Sequence, residues 1–148
     1  MSHRYPVNWK EFYLNAQALG WRLNEGKSWK GLIAITRGGL VPAAIVAREL
    51  GIRKIDTISI VSYDDETDKQ IEPSILKTCE VDDLGKDWLV IDDLVDTGAT
   101  AKVVRDMLPK AHIAAIYAKP SGRDQVDTYM TEVSQDTWIV FPWEEEIE

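Results

Sequence analysis

The chain has 148 residues, 45 % of them apolar and 28 % charged, with a formal net charge of −8. That balance fits one folded domain rather than a disordered or membrane-spanning chain, and the acidity excludes a basic nucleic-acid footprint. Two histidines (His3, His112) and one cysteine (Cys79) exclude a zinc site of the usual His/Cys kind and an internal disulfide; they point to a reducing, intracellular setting. The opening stretch MSHRYPVNWKEF carries no apolar signal core, so export is not expected.

Apolar spacing predicts a first helix over 9–23, with Trp9, Phe12, Ala16, Leu19 and Leu23 at three- and four-residue steps. Asn8 can cap it, and Glu11 stands three residues later, as in a capping box. GLIAI (31–35) has strand length. A glycine turn follows, then a helix through AAIVAREL that Gly51 stops. KIDTISIVSY (54–63) reads as a second strand, with Ser62-Tyr63 at its end, and DWLVIDD (87–93) as a third. TAKVVRDML reads as a helix ending before Pro109, with Ala101, Val104, Met107 and Leu108 on one face. HIAAIYA (112–118) is the fourth strand. Strands alternating with helices predict one α/β domain, a mostly parallel sheet with helices on both faces.

Two regions break that rhythm. Residues 64–86 are polar and irregular, with Pro73 among them, and read as a structureless lid or disordered loop. QDTWIVFPWEEEIE crowds Trp138, Phe141 and Trp143 beside an acidic tail, as a pocket wall, an oligomer contact or core.

WLVIDDLVDTGATA (88–101) carries the chemistry. Four apolar residues run into Asp92, Asp93 and Asp96, carboxylates that repel one another and resist desolvation. In open parallel sheets ligands bind beyond the carboxyl ends of the strands. The TRGG turn and Lys119-Pro120 are expected at that same edge. Gly98 permits a tight turn, Thr97 and Thr100 bring hydroxyls, and the following helix brings free N–H groups, so a phosphate monoester fits without a lysine. Asp92 and Asp93 suit ribose hydroxyls or magnesium. The alternative is a capped helix beside solvated acids. Arg37 can fork onto a phosphate while Gly38 and Gly39 let the backbone approach a ligand, although such a turn is also ordinary loop chemistry. Neither the nucleotide P-loop nor the dinucleotide glycine fingerprint is present.

LVIDDLVDTGAT resembles the phosphoribosyl-diphosphate (PRPP) motif of the type I phosphoribosyltransferases. The stretches WKGLIAITRGGLVPAAIVARELGIRKIDTISIVSYD, VIDDLVDTGAT, AKPSGRDQVDTY and SQDTWIVFPW resemble, in order, the bacterial members of the purine branch that take xanthine and guanine. The resemblance spans Trp29 to Trp143. It implies the type I fold, with a mobile lid at about 64–86 and a small base-binding hood at about 119–148. It implies transfer of the 5-phosphoribosyl group of PRPP to guanine or xanthine, and more weakly hypoxanthine, in Mg2+-dependent purine salvage.

By resemblance, Thr36–Arg37 is a cis peptide in a pyrophosphate loop with Gly38. Asp92 and Asp93 hold the ribose hydroxyls, with Asp93 on the metal. The PRPP stretch runs through Leu94, Val95, Asp96, Thr97, Gly98, Ala99 and Thr100, and Lys69 reaches toward pyrophosphate. Asp96 faces purine N7, Lys119 bonds the 6-oxo group, and Trp138 and Ile139 line the base pocket. By residue type alone Lys119 is a surface lysine and Trp138 is as readily core as pocket wall. The family also implies a cytoplasmic homo-oligomer, commonly a tetramer, with peripheral contact at the inner face of the cell membrane as a further trait. The sequence departs from the family in a longer 64–86 segment, in Ala99 where a glycine is common, and in the acidic EEEIE after Trp143. Two other readings start from the same residues. One is a nucleotide-sensing relative without catalysis. The other is an aspartic protease, prompted by Asp-Thr-Gly but opposed by the helix that follows and the missing second copy.

Overall fold

The computed structural model describes residues 3–63 and 70–144. Its elements are β1 (His3–Pro6), α1 (Trp9–Leu23), β2 (Gly31–Thr36), α2 (Leu40–Leu50), β3 (Ile55–Tyr63), β4 (Gln70–Lys77), β5 (Trp88–Val95), α3 (Ala99–Met107), β6 (His112–Ala118), β7 (Thr128–Glu132) and β8 (Thr137–Val140). Six strands form one sheet in the order β4-β3-β2-β5-β6-β7, and β1 pairs with β8 in a separate two-stranded ribbon. Every pair in the large sheet is parallel except β3–β4.

The central strands are apolar on both faces because both faces are covered. Leu32, Ala34, Leu89, Ile91, Ala114 and Ile116 turn to one side and pack with Phe12, Ala16 and Leu19 of α1 and Ala43, Val46 and Ala47 of α2. Ile33, Ile35, Trp88, Val90 and Ile113 turn to the other and meet Val104 of α3 and Leu108 just beyond it. The period-two alternation of strands thus separates two cores, and the 3.6-residue period of each helix supplies the cover. Asn8 caps α1 as expected, accepting from the Glu11 N–H at 2.8 Å. The Glu11 carboxylate takes the Tyr5 hydroxyl.

The structureless reading of 64–86 is corrected over 70–77, where β4 lies antiparallel to β3. Pro73 is tolerated because β4 is an edge strand and because the register slips between Val61 and Tyr63, opposite the proline. A short 3-10 turn over Asp83–Gly85 then leads toward β5. Three further strands were not foreseen. β1 and β8 are four residues each and exist only by pairing with one another, and β7 is a half-buried edge strand. Short strands of this kind lack the apolar run that marks a central strand. β5 also continues past its predicted end to Val95, still paired with β6 through Asp92↔Ala115 and Val95↔Ala118.

Candidate active site

Asp92 and Asp93 sit on β5, as the sequence reading of 87–93 expected, and the strand runs on through Leu94 and Val95. Consecutive strand residues face opposite sides of the sheet, so the two carboxyls leave the strand in different directions. Asp92 Oδ1 accepts the Asp93 backbone N–H at 2.8 Å. Burial pushes the Asp92 carboxyl well above the usual carboxylate range, and the adjacent Asp93 charge adds to it; burial pushes Asp93 up as well. These are desolvated acids whose charged form gains from a cation or from hydroxyl donors.

The β2–α2 turn closes over Asp93. A Cβ on Gly38 would lie 2.6 Å from Asp93 Oδ2, and one on Gly39 would lie 2.5 Å from the Ile91 carbonyl. The two glycines therefore let this turn approach β5 itself, a use beyond the ligand approach expected of them. The Thr36–Arg37 peptide is cis, as the resemblance implied. Thr36 Oγ1 is 2.7 Å from Ser59 Oγ of β3, and Arg37 is exposed at the same sheet edge.

Beyond β5 the chain turns at Gly98, with φ at 89°, into α3. A Cβ there would meet Gln125 Cγ at 2.6 Å. Gly122 in turn sits where a Cβ would lie 2.6 Å from the Asp96 carbonyl. Loop 96–98 is thus clamped against the turn after β6. Gly98 has no side chain with which to cap α3. First-turn amides of this kind, beside the Thr97 and Thr100 hydroxyls, suit an anion. A protease reading of Asp-Thr-Gly fails here, since the motif leads from a parallel strand straight into a helix.

A second cluster is assembled from separate turns. Lys119, following β6, is only 5 % exposed, so it is no ordinary surface lysine. Its Nζ lies 3.3 Å from Asp96 Oδ2. Gln135 Nε2 donates to Asp96 Oδ1 at 2.8 Å, and Gln135 Oε1 accepts the Ser121 N–H at 2.9 Å. Trp138 is 46 % exposed on β8 and is not core, whereas the Ile139 side chain is buried in the core with α1 and offers the site only its backbone. The other tail aromatics are structural. Phe141 stacks on Trp143 with centroids 4.8 Å apart, and both meet Phe12 edge-on. Gln135, Ser121 and Gly122 are absent from the residues singled out in the sequence, and no spacing rule links them to Asp96. Lys69 and the acidic end 145–148 lie outside the described residues.

Among the described residues no group of three or more His, Cys, Asp or Glu side chains could cage a metal. Magnesium does not require one: it is ordinarily held by one or two carboxylates with water and substrate phosphate oxygens. The desolvated Asp92–Asp93 pair fits that mode of binding.

Helix-opening amides with hydroxyls, paired acids and a buried lysine bonded to Asp96, at the carboxyl edge of a parallel sheet, suit a phosphorylated sugar and a polar partner. The phosphoribosyl transferase domain model matches residues 8–148, and the chain belongs to the phosphoribosyltransferase family, with the type I fold and the enzymatic class of a transferase. A xanthine-guanine phosphoribosyltransferase of Desulfotalea psychrophila is 59 % identical over 142 residues, covering 96 % of this chain and 87 % of that protein. One of Nitratidesulfovibrio vulgaris is 56 % identical over 144 residues, covering 97 % and 86 %. A purine phosphoribosyltransferase structure from Pyrococcus horikoshii superposes with a TM-score of 0.80 at 30 % identity, covering 98 % of this chain and 96 % of that one.

Proposed function

We propose that this protein transfers the 5-phosphoribosyl group of PRPP to a 6-oxopurine in purine salvage. Guanine and xanthine are the preferred acceptors and hypoxanthine a weaker one; the products are the nucleoside monophosphate and pyrophosphate. The observation that carries this reading is buried Lys119 bonded to Asp96 beside the Thr97–Thr100 turn, in a chain 59 % identical to a xanthine-guanine phosphoribosyltransferase.

The residues divide the work. The 5′-phosphate rests on the Thr97–Thr100 turn and the N–H groups that open α3. Asp92 and Asp93 accept the ribose hydroxyls, which fixes the sugar relative to the base. Arg37 and the amides around Gly38 meet the pyrophosphate. Magnesium held at Asp93 would supply positive charge to the leaving pyrophosphate oxygens. Lys119 donates to O6, and it meets a donor rather than an acceptor when adenine presents its 6-amino group. Asp96 faces N7 and takes or orients its proton as the ring nitrogen attacks C1′. Trp138 supplies an aromatic face, and backbone carbonyls near Trp138 and Ile139 suit the 2-amino group of guanine. In the free protein Lys119 and Asp96 are partnered with each other, so base binding exchanges one pairing for two.

Incubating the protein with Mg2+, PRPP and guanine, xanthine, hypoxanthine or adenine, and following pyrophosphate release, tests this directly. Turnover with the oxopurines and little with adenine is expected. No turnover with any oxopurine overturns the reading, and tight nucleotide binding without turnover would favour a sensing role.

A cytoplasmic homo-oligomer is part of the same proposal. Trp9, Tyr13, Leu14 and Trp21 are exposed along α1, an apolar face of the kind oligomers cover. Among the described residues no helix is long and apolar enough to cross a membrane. Sedimentation at micromolar concentration is expected to show an assembly; a monomer there overturns this part.

A further inference from the structure

We infer that Gln135 is a positioning residue for the base-facing carboxylate. It holds Asp96 through Oδ1 so that Oδ2, now on Lys119, is the oxygen that meets the purine when the ammonium turns to O6. This rests on the phosphoribosyl-transfer reading above.

The orientation of the Gln135 amide is set by its neighbours. The Ser121 N–H can only donate, so the atom facing it at 2.9 Å is Oε1. The amide nitrogen is therefore the atom 2.8 Å from Asp96 Oδ1, and it donates to a carboxylate, the stronger class of neutral-donor hydrogen bond. Gln135 also sits in a tight turn. Ser134 Oγ lies 2.6 Å from both Asp136 Oδ1 and Thr137 Oγ1, and the Thr137 N–H returns to the Ser134 carbonyl at 3.0 Å. That turn opens β8, which is itself paired with β1. The amide is thus presented from a braced loop, which the Val133 N–H also ties to the Ala118 carbonyl at the end of β6 at 3.0 Å.

Lys119 and the purine compete for Asp96. Lys119 is buried and gains most from keeping the carboxylate close. Drawn by Lys119 alone, Asp96 would follow the ammonium as it moves and the site would collapse onto an ion pair. A second tether on the far oxygen prevents this. It leaves Oδ2 free to exchange Lys119 for the base while Oδ1 stays where it is. Gln135 thereby ties the hood, the turn after β6 and the end of β5 to one carboxylate.

The test is steady-state kinetics on Gln135→Leu and Gln135→Glu beside wild type, with KM for PRPP and for guanine measured separately. Loss of a hydrogen bond to a charged group predicts about a tenfold or greater fall in kcat/KM for guanine in Gln135→Leu, with KM for PRPP within about twofold. Gln135→Glu sets a second carboxyl against Asp96. Because the two must share a proton, its kcat/KM relative to wild type is expected to recover as pH falls. The glutamate variant retains size and polarity and carries the test if the leucine variant folds poorly. An active wild type with unchanged Gln135 variants overturns this inference alone, as does a loss in which both KM values and the thermal midpoint move together. A wild type that turns over no oxopurine removes the underlying reading and this inference with it.

Discussion

The proposed ribose and phosphate contacts come from one unbroken run, Asp92 to Thr100, whereas the proposed base end draws Asp96, Lys119, Ser121 and Gln135 from separate turns. The first region takes its shape from a strand that runs past its core and a glycine that turns it into a helix. The second has no local cause, since its geometry depends on where β6, β7 and β8 place their ends. The contrast predicts different failures: damage to the run should cost chemistry on every substrate, and damage to the hood should change which base is used.

Asp93→Ala should give the largest loss, about a thousandfold in kcat/KM with all bases, because it removes charge at the ribose and metal position. A loss confined to one base would break the comparison. Gly38→Ala comes next, at about a hundredfold. The added Cβ would lie 2.6 Å from Asp93 Oδ2, so the carboxylate or the turn must shift, and small misplacement at a reacting centre is costly. The expected signature is a raised KM for PRPP in pyrophosphate-release assays. Lys119→Met, which avoids leaving a buried cation, should lower guanine turnover by about ten- to a hundredfold and narrow the guanine-to-adenine ratio, with KM for PRPP steady. An unchanged ratio would place base selection elsewhere.

The next effect is on stability and has the opposite sign. The folded Asp92 carboxyl titrates above its unfolded value, chiefly through burial. Its contribution is therefore fully present below the unfolded value and is lost as pH rises through the raised folded one. In metal-free protein Asp92→Asn should raise the thermal midpoint at neutral pH by on the order of a few degrees while lowering activity, and the gain should vanish in acid. A fall in the midpoint would show that the ionised carboxylate has a stabilising partner. Trp138→Ala should do least, raising KM for the base several-fold with little change in midpoint, since the ring is half exposed and outside the core.

How much was legible follows the same division. The α1 cap at Asn8, the buried double-faced strands and the Asp92–Thr100 run could be read because each depends on residues within one or two turns of one another. β4 was hidden by its polarity and by Pro73, both characteristic of an edge strand. Lys119 and Trp138 were named through resemblance to a family; from residue type alone the lysine would have been misplaced, since it is buried, and the half-exposed tryptophan left open between core and pocket wall.

By itself the sequence determined the alternation of elements, the parallel sheet and the acidic turn, because hydrophobic periodicity, glycine placement and capping act over short distances along the chain. Only the tertiary structure decided that Gly38 exists to accommodate Asp93, that Lys119 is a buried cation paired with Asp96, and that Gln135 holds the other oxygen of that carboxylate. Those contacts join residues whose separation along the chain carries no periodic signal; they are set by strand order and register, which bring the ends of β2, β5 and β6 and the turn before β8 to one edge.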